Sequence, residues 1–253
     1  MKLIETILAS LPVEPIPVRR LVIGVHWTMV SSMYSGLGST IVGDGPHGHS
    51  RVRDVGSLHL KSAQELAHWV LSDNLLEASI GIAALNSLLP LDESQLTEVN
   101  AADVIARQSA GKNLAVVGHF PFVDQVRSMT KNCWVIEKRP FGEDFPEKAA
   151  AEFIPQADVV AITGTAFINH SIEMLLSLCP TQAQVMILGP STPLTPLLFN
   201  ARISFLSGAR VFDEQAAVNT IQQGAIFRQV QGVRLLTMTP EYRQSQEKAQ
   251  NPD

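Results

Sequence analysis

The stretch Leu114-Ala115-Val116-Val117-Gly118-His119-Phe120-Pro121-Phe122-Val123 decides the fold. Residues 114–117 are a short apolar run, the pattern of a strand buried on both faces, and Gly118 ends it. Helical spacing then begins at Val123 and runs to Met129. The same rhythm recurs downstream. Cys133-Trp134-Val135-Ile136 reads as a strand and 146–154 as a helix; Val159-Val160-Ala161-Ile162 as a strand and 168–178 as a helix. Val185-Met186-Ile187-Leu188 is a fourth strand, followed by a Pro-rich turn and a short helix. Residues 203–212 hold another strand, 214–222 a helix and 233–238 a last strand. Alternation of this kind with continuous apolar strands predicts a parallel sheet covered on both faces, joined by right-handed crossovers. The expected class is α/β, with residues 113–253 a Rossmann-like doubly wound domain and a frayed polar tail after Tyr242.

Upstream the rhythm differs. Residues 1–95 open with a short amphipathic helix and continue into the run Leu21-Val22-Ile23-Gly24-Val25-His26-Trp27-Thr28-Met29-Val30, read as a strand for its β-branched and aromatic content. Gly36, Gly38, Gly43, Gly45 and Gly48 predict turns and hairpin connections. Two helices follow. The first covers 62–71, where Ser62 and Glu65 form a capping box; the second covers 75–89, with Leu76, Ile80, Ala83, Ala84 and Leu88 at helical spacing. Strands followed by helices predict a small α+β unit. Residues 96–112 read as a connector with its own helix, capped by Asn100 or Asp103.

Composition narrows the function classes. The chain has 253 residues, 45% hydrophobic and 17% charged, enough for a buried core. With 19 Lys and Arg against 24 Asp and Glu, its net charge of −5 gives no global attraction for nucleic acid or anionic lipid. No apolar stretch reaches the length of about 20 residues that a spanning helix needs. The best candidate, 185–199, is broken by Pro190, Pro193 and Pro196. The N-terminal apolar stretch, interrupted by Glu5 and stopped by Pro12, does not read as a signal peptide. Cys133 and Cys179 are too few for a disulfide framework or a four-cysteine zinc module and read as buried small hydrophobes. These features together predict a cytoplasmic protein, with a homo-oligomer open.

Two motifs are weak. Gly43-Asp44-Gly45-Pro46-His47-Gly48 fits G-x-G-x-x-G, but the following residues do not start an amphipathic helix, so a glycine loop that binds no NAD is expected. His47 and His49 could share a metal on a strand, yet no third ligand can be assigned, and a surface loop is the plainer reading.

The stronger signals end three strands: Gly118-His119-Phe120-Pro121, Gly164-Thr165-Ala166-Phe167-Ile168-Asn169 and Gly189-Pro190-Ser191-Thr192-Pro193. In an open parallel sheet the strand C-termini share one edge, and ligands bind in the crevice there. Glycine admits close backbone approach, although every βα loop also needs turn residues. Glu137 ends the second strand, about 20 residues beyond the first glycine loop, where a Rossmann site holds a ribose hydroxyl. That loop lacks the further glycines that admit a pyrophosphate, so Glu137 stays open between a ligand or metal contact and a solvated strand end. His119 is open between metal ligand, acid/base and structural residue. Asn86, polar within an apolar helix, either faces the strand-end loops or ties a turn in its own domain.

The blocks Ser79-Ile80-Gly81-Ile82-Ala83-Ala84-Leu85-Asn86-Ser87, Val117-Gly118-His119-Phe120-Pro121, Ile136-Glu137, Ile162-Thr163-Gly164-Thr165-Ala166-Phe167-Ile168-Asn169 and Leu188-Gly189-Pro190-Ser191-Thr192-Pro193 together resemble a known family. The first is similar to the helix of the small N-terminal domain DUF4213, and the others to DUF364, a family named for heavy-metal chelation. The resemblance implies an enolase N-terminal-like domain over 1–95 joined to a Rossmann-like domain, with a site between them. The expected ligand-binding residues are Asn86, Gly118, His119, Pro121, Glu137, Gly164, Thr165, Asn169, Gly189, Pro190, Ser191 and Thr192. In a metal-handling protein His119 and Glu137 would be the metal ligands, for a divalent ion or its complex. In the alternative, a small-molecule enzyme, the same loops would take a nucleoside-like cofactor such as S-adenosylmethionine.

Overall fold

A computed structural model describes residues 2–43, 51–91, 96–98 and 101–240. Helix α1 (Lys2–Ala9) buries Ile4, Ile7 and Leu8. An antiparallel meander of β1 (Arg20–Ile23), β2 (Trp27–Ser31) and β3 (Ser35–Ser39) follows. The run 21–30 is therefore two strands. The chain reverses at 24–26, where the Gly24 amide donates to Trp27 O at 2.8 Å. A Cβ on Gly24 would lie 2.6 Å from Ile221 O, so only glycine fits.

Helix α2 (Ala63–Ala67) carries the expected capping box of Ser62 and Glu65, and tightens into a 3-10 turn over His68–Leu71. Helix α3 (Leu75–Leu88) starts at Asn74, whose side chain accepts from the Leu76 and Glu77 amides. Twelve of its fourteen residues are buried. One face lies on β3, where Gly36 and Gly38 stand within the strand and not in turns. A Cβ on Gly36 would sit 2.2 Å from Ala83 O. The glycines let a helix axis approach the sheet, a use that local sequence does not distinguish from a turn.

The second part begins with α4 (Ala101–Ser109). Strand–helix alternation follows through β4 (Asn113–Val117), α5 (Val123–Arg127), β5 (Asn132–Glu137), β6 (Phe145–Pro146), α6 (Ala150–Phe153), β7 (Val159–Thr163), α7 (Ile172–Leu178), β8 (Gln184–Leu188), β9 (Ile203–Val211), α8 (Glu214–Gln222) and β10 (Val233–Met238). Among the described residues these strands form a seven-stranded sheet in the order β6-β5-β4-β7-β8-β9-β10. Every pair is parallel except β10 with β9. The chain works outward from β4 through β5 to β6, then returns to the other side of β4 as β7. That reversal is the topological switch point of a Rossmann-like sheet. Two expected helices are shorter than their patterns. Residues 146–154 give a strand end, a 3-10 turn and α6, and 164–167 form a 3-10 turn before α7.

Alternation along the strands splits the core. Leu114 and Val116 pack with Val104, Ile105, Val123 and Val126 on one face, while Ala115, Val160, Ile162 and Ile187 join a cluster on the other. That second cluster continues without a break into Ile4, Leu66, Ile80, Ile82 and Leu85 of the first part. Met29 and Leu37 pack against Ala217, Val218 and Ile221 of α8. Polar ties cross the same junction. Glu214 accepts from both terminal nitrogens of Arg19, the shorter contact being 2.6 Å, and from Ser35 Oγ at 2.7 Å. The guanidinium of Arg19 holds the Glu214 carboxyl below the usual carboxylate range, against the upward push of burial and with help from Ser35. Among the described residues no helix is long and apolar enough to cross a membrane.

Candidate functional site

A cavity of about 580 Å³ opens at the strand C-termini beside the switch point. Its floor is the ends of β4, β5 and β7: Val117 to Phe120, Ile136 to Arg139, Thr163, Thr165, Asn169 and Ser171. Thr40, Ile41 and Val42, just beyond β3, and Leu75 at the start of α3 close it from the first part. Its size lies within the range of small-molecule pockets.

Gly118 turns the chain out of β4 at φ 97°, and a Cβ there would lie 3.0 Å from the Thr163 side chain. An L-residue would meet both backbone strain and crowding at this point. The turn delivers the His119 amide to Glu137 Oε2 at 3.0 Å. Glu137 Oε1 accepts from the amides of Lys138 at 2.7 Å and Arg139 at 3.5 Å. The carboxylate thus splints the ends of β4 and β5. The His119 side chain, 45% exposed, places Nδ1 at 2.9 and 3.1 Å from the two carboxylate oxygens of Asp144. The Asp144 side chain is 1% exposed and also accepts from the Phe141 amide at 3.2 Å. On the far wall, Thr163 Oγ1 and Thr165 Oγ1 are 3.1 Å apart. Asn169 Oδ1 accepts from Ser171 Oγ at 2.6 Å. His170, at φ 60°, has Nε2 2.8 Å from Val70 O, which ties this loop to the first part.

The cavity brings together Gly118, His119, Glu137, Thr165 and Asn169 of the residues expected from sequence. Asn86, Pro121, Gly164, Gly189, Pro190, Ser191 and Thr192 are not among its lining residues. Asn86 is buried in its own part of the fold, where Nδ2 donates to Leu37 O at 2.9 Å, while its Oδ1 has no hydrogen-bond partner among the described residues. Ser191 is buried behind the wall. Its Oγ accepts from the Ser39 amide at 2.8 Å and lies 3.1 Å from Ser39 Oγ. Gly164 touches Thr192 so closely that a Cβ would stand 2.6 Å from the Thr192 amide nitrogen. Gly189 turns at φ 106° and Pro121 is exposed. The third loop therefore braces the junction from behind.

Sequence reasoning missed Asp144, the partner of His119. It lies in Phe141-Gly142-Glu143-Asp144, a polar segment without motif, and only the turn before β6 brings it beside the end of β4. Residues 44–50, which hold most of the G-x-G-x-x-G match together with His47 and His49, lie outside the described residues, as do Asn100 and the tail beyond 240. Among the described residues no group of three or more His, Cys, Asp or Glu side chains could hold a metal ion. Cys179 is buried and Cys133 half-buried.

Residues 100–239 match the family model of DUF364, and residues 4–89 that of DUF4213, both described as "Putative heavy-metal chelation". The chain belongs to the DUF364 family. A DUF364 family protein of unknown function from Desulfitobacterium hafniense DCB-2 has a similar crystal structure, with TM-score 0.80 and 25% identity over 94% of this chain and 97% of that one. A second DUF364 structure, from Pyrococcus horikoshii, has TM-score 0.78 at 17% identity over 94% and 98% of the two chains, and so shares the fold. An uncharacterized protein of Methanocaldococcus jannaschii is 24% identical over 165 residues, 62% of this chain. The match spans 64% of that relative's length.

Proposed function

We propose that this DUF364 protein binds a small polar molecule in the crevice between its first part and the α/β sheet, and that His119 meets the ligand's reactive or metal-bearing end. The observation that carries this reading is the convergence, in one cavity at the switch point, of a carboxylate-paired imidazole with the hydroxyl and amide groups of Thr163, Thr165 and Asn169. The family description fits a metal that arrives already complexed. His119 would supply one nitrogen donor, and an organic chelator filling the cavity would supply the rest. Metal binding through His119 and Glu137 together draws less support, because the Glu137 oxygens already accept three backbone N–H groups. A nucleoside-like ligand is favoured by one feature, the position of Glu137 at the end of the second sheet strand.

The division into 1–95, a connector at 96–112 and 113–253 belongs to this proposal, as does the enolase-like nature of the first part. A three-stranded meander followed by helices supports the latter. The test is a thermal-shift screen against divalent metals, metals with small chelators, and nucleosides. A ligand at about 100 times its Kd stabilises the native state by about 2.7 kcal/mol. A hit should vanish in His119→Ala and Asn169→Ala, each compared with its own unliganded melting temperature, since both side chains also make hydrogen bonds in the unliganded protein. Normal binding by both variants would refute the crevice.

A further inference from the structure

Asp144 belongs to none of the strand-end motifs, yet its carboxylate is almost fully withdrawn from solvent. A buried carboxylate persists only when its oxygens are satisfied. Here the partners are the Phe141 amide and His119 Nδ1. Gly142, at φ 61°, allows the turn that folds Asp144 back onto Phe141, whose carbonyl accepts from the Asp144 amide at 3.2 Å. An ionised carboxylate accepts hydrogen bonds and donates none. Between an ionised Asp144 and the imidazole, the 2.9 Å contact places the proton on Nδ1. In the neutral ring that proton leaves Nε2 as a bare lone pair. Nδ1 points at a buried group while the ring is half exposed in the cavity wall, so Nε2 lies on the open side. Among the described residues it has no partner.

We infer that Asp144 is a positioning residue: it holds His119 in the Nδ1–H form and thereby makes the crevice-facing Nε2 an electron-pair donor. The inference rests on the reading of His119 as the ligand-facing side chain, and it narrows the ligand class. The group that meets Nε2 is an electron-pair acceptor, either a metal cation carried by the ligand or a hydroxyl, ammonium or acidic C–H that yields a proton. It is not a bare anion, which would face a lone pair. Histidines that ligate metals or act as bases are commonly oriented by a carboxylate on the opposite nitrogen in this way. The other acids nearby are engaged elsewhere: Glu143 with Arg127, Glu147 with Lys138, and Glu137 with backbone amides.

The test is a long-range proton–nitrogen correlation spectrum of the full chain carrying nitrogen-15 histidine, at about pH 8, where an ordinary imidazole is neutral. His119→Ala identifies the His119 signals by their loss. The wild type should show Nδ1 protonated and Nε2 bare. In Asp144→Ala the ratio of the Nδ1–H to the Nε2–H form should fall about tenfold or more, as expected for loss of a charge-assisted bond. A wild-type His119 in the Nε2–H form overturns the proposal without any variant, and so does an unchanged ratio in Asp144→Ala. Inorganic phosphate should leave the Nε2 signal in place, and a saturable phosphate shift would overturn the assignment of ligand class. These readings need no ligand hit. If a screened ligand bound His119→Ala as well as wild type, the crevice reading would fall and the tautomer assignment would stand.

Discussion

Replacing Gly36 with alanine tests the packing that holds the first part of the fold together. The new methyl carbon would stand 2.2 Å from Ala83 O, 2.4 Å from Ser87 N and 2.7 Å from the Asn86 carbonyl carbon. All three are backbone atoms of α3, so no side-chain rotation relieves the clash. Ordinary contact between non-bonded carbons lies at about 3.5–4.0 Å, so helix and strand must part by about 1 Å. α3 has little freedom to move, because twelve of its fourteen residues are buried. Overpacking of this kind costs about 1–3 kcal/mol, and a clash between backbones places Gly36→Ala at the top of that range. Lower unfolded-chain entropy returns about 0.5–1 kcal/mol. The expected net loss is about 2 kcal/mol, or a fall of about 4–8 °C in Tm for a chain of this size. Separation would also stretch the bond from Asn86 Nδ2 to Leu37 O. The assay is urea and thermal unfolding followed by circular dichroism. A loss below about 0.5 kcal/mol would mean that α3 does not press on β3 as described.

Three further outcomes follow from the same contacts. The folded-state pKa of Glu214 is lowered, so its contribution to stability is complete above the unfolded carboxylate value of about 4.3 and is lost as pH falls through the folded value. Glu214→Gln should therefore flatten the acid limb of a stability–pH curve and leave its shape at neutral pH unchanged. Ser191→Ala leaves the Ser39 amide without its acceptor and should cost about 1–2 kcal/mol, while the affinity of a crevice ligand stays within twofold or so, a pairing checked by melting and titration of one preparation. Burial pushes the Cys179 thiol up to about 11, so a thiol reagent at neutral pH should label Cys133 first and reach Cys179 only on unfolding. Prompt labelling of native Cys179 would contradict its placement.

The sheet was legible because its signal is local and repeated. Residues 114–117, 133–136, 159–162 and 185–188 each spell a buried strand, and the alternation with helices permits few other arrangements. The hairpin at 24–26 was not legible. Gly24 sits inside an apolar run, and what demands a glycine is Ile221, nearly 200 residues away in the chain. Gly36 and Gly38 misled for the same reason, since the helix that needs them lies elsewhere in the sequence. In the site, Gly118, His119 and Glu137 were visible as strand ends. Asp144 was not, because its role depends on the register by which Ile136 pairs with Phe145 and carries the preceding residue back over β4. The sequence alone fits Asn86 to two positions, and its bond to Leu37 keeps it within its own part of the fold.

The apolar cluster that runs from Ile4 and Ile80 through Ile162 and Phe167 has no seam where the two parts meet. Neither part presents a finished surface to the other. Cutting the chain near residue 100 would divide this cluster, leaving Leu66, Ile82 and Leu85 on one fragment and Ile162, Ile187 and Phe167 on the other. Loss of order in either part would remove buried partners of the other, so a single cooperative melting transition is expected. The change of rhythm in the sequence near residue 100 thus marks a change of architecture, while the buried core runs across it.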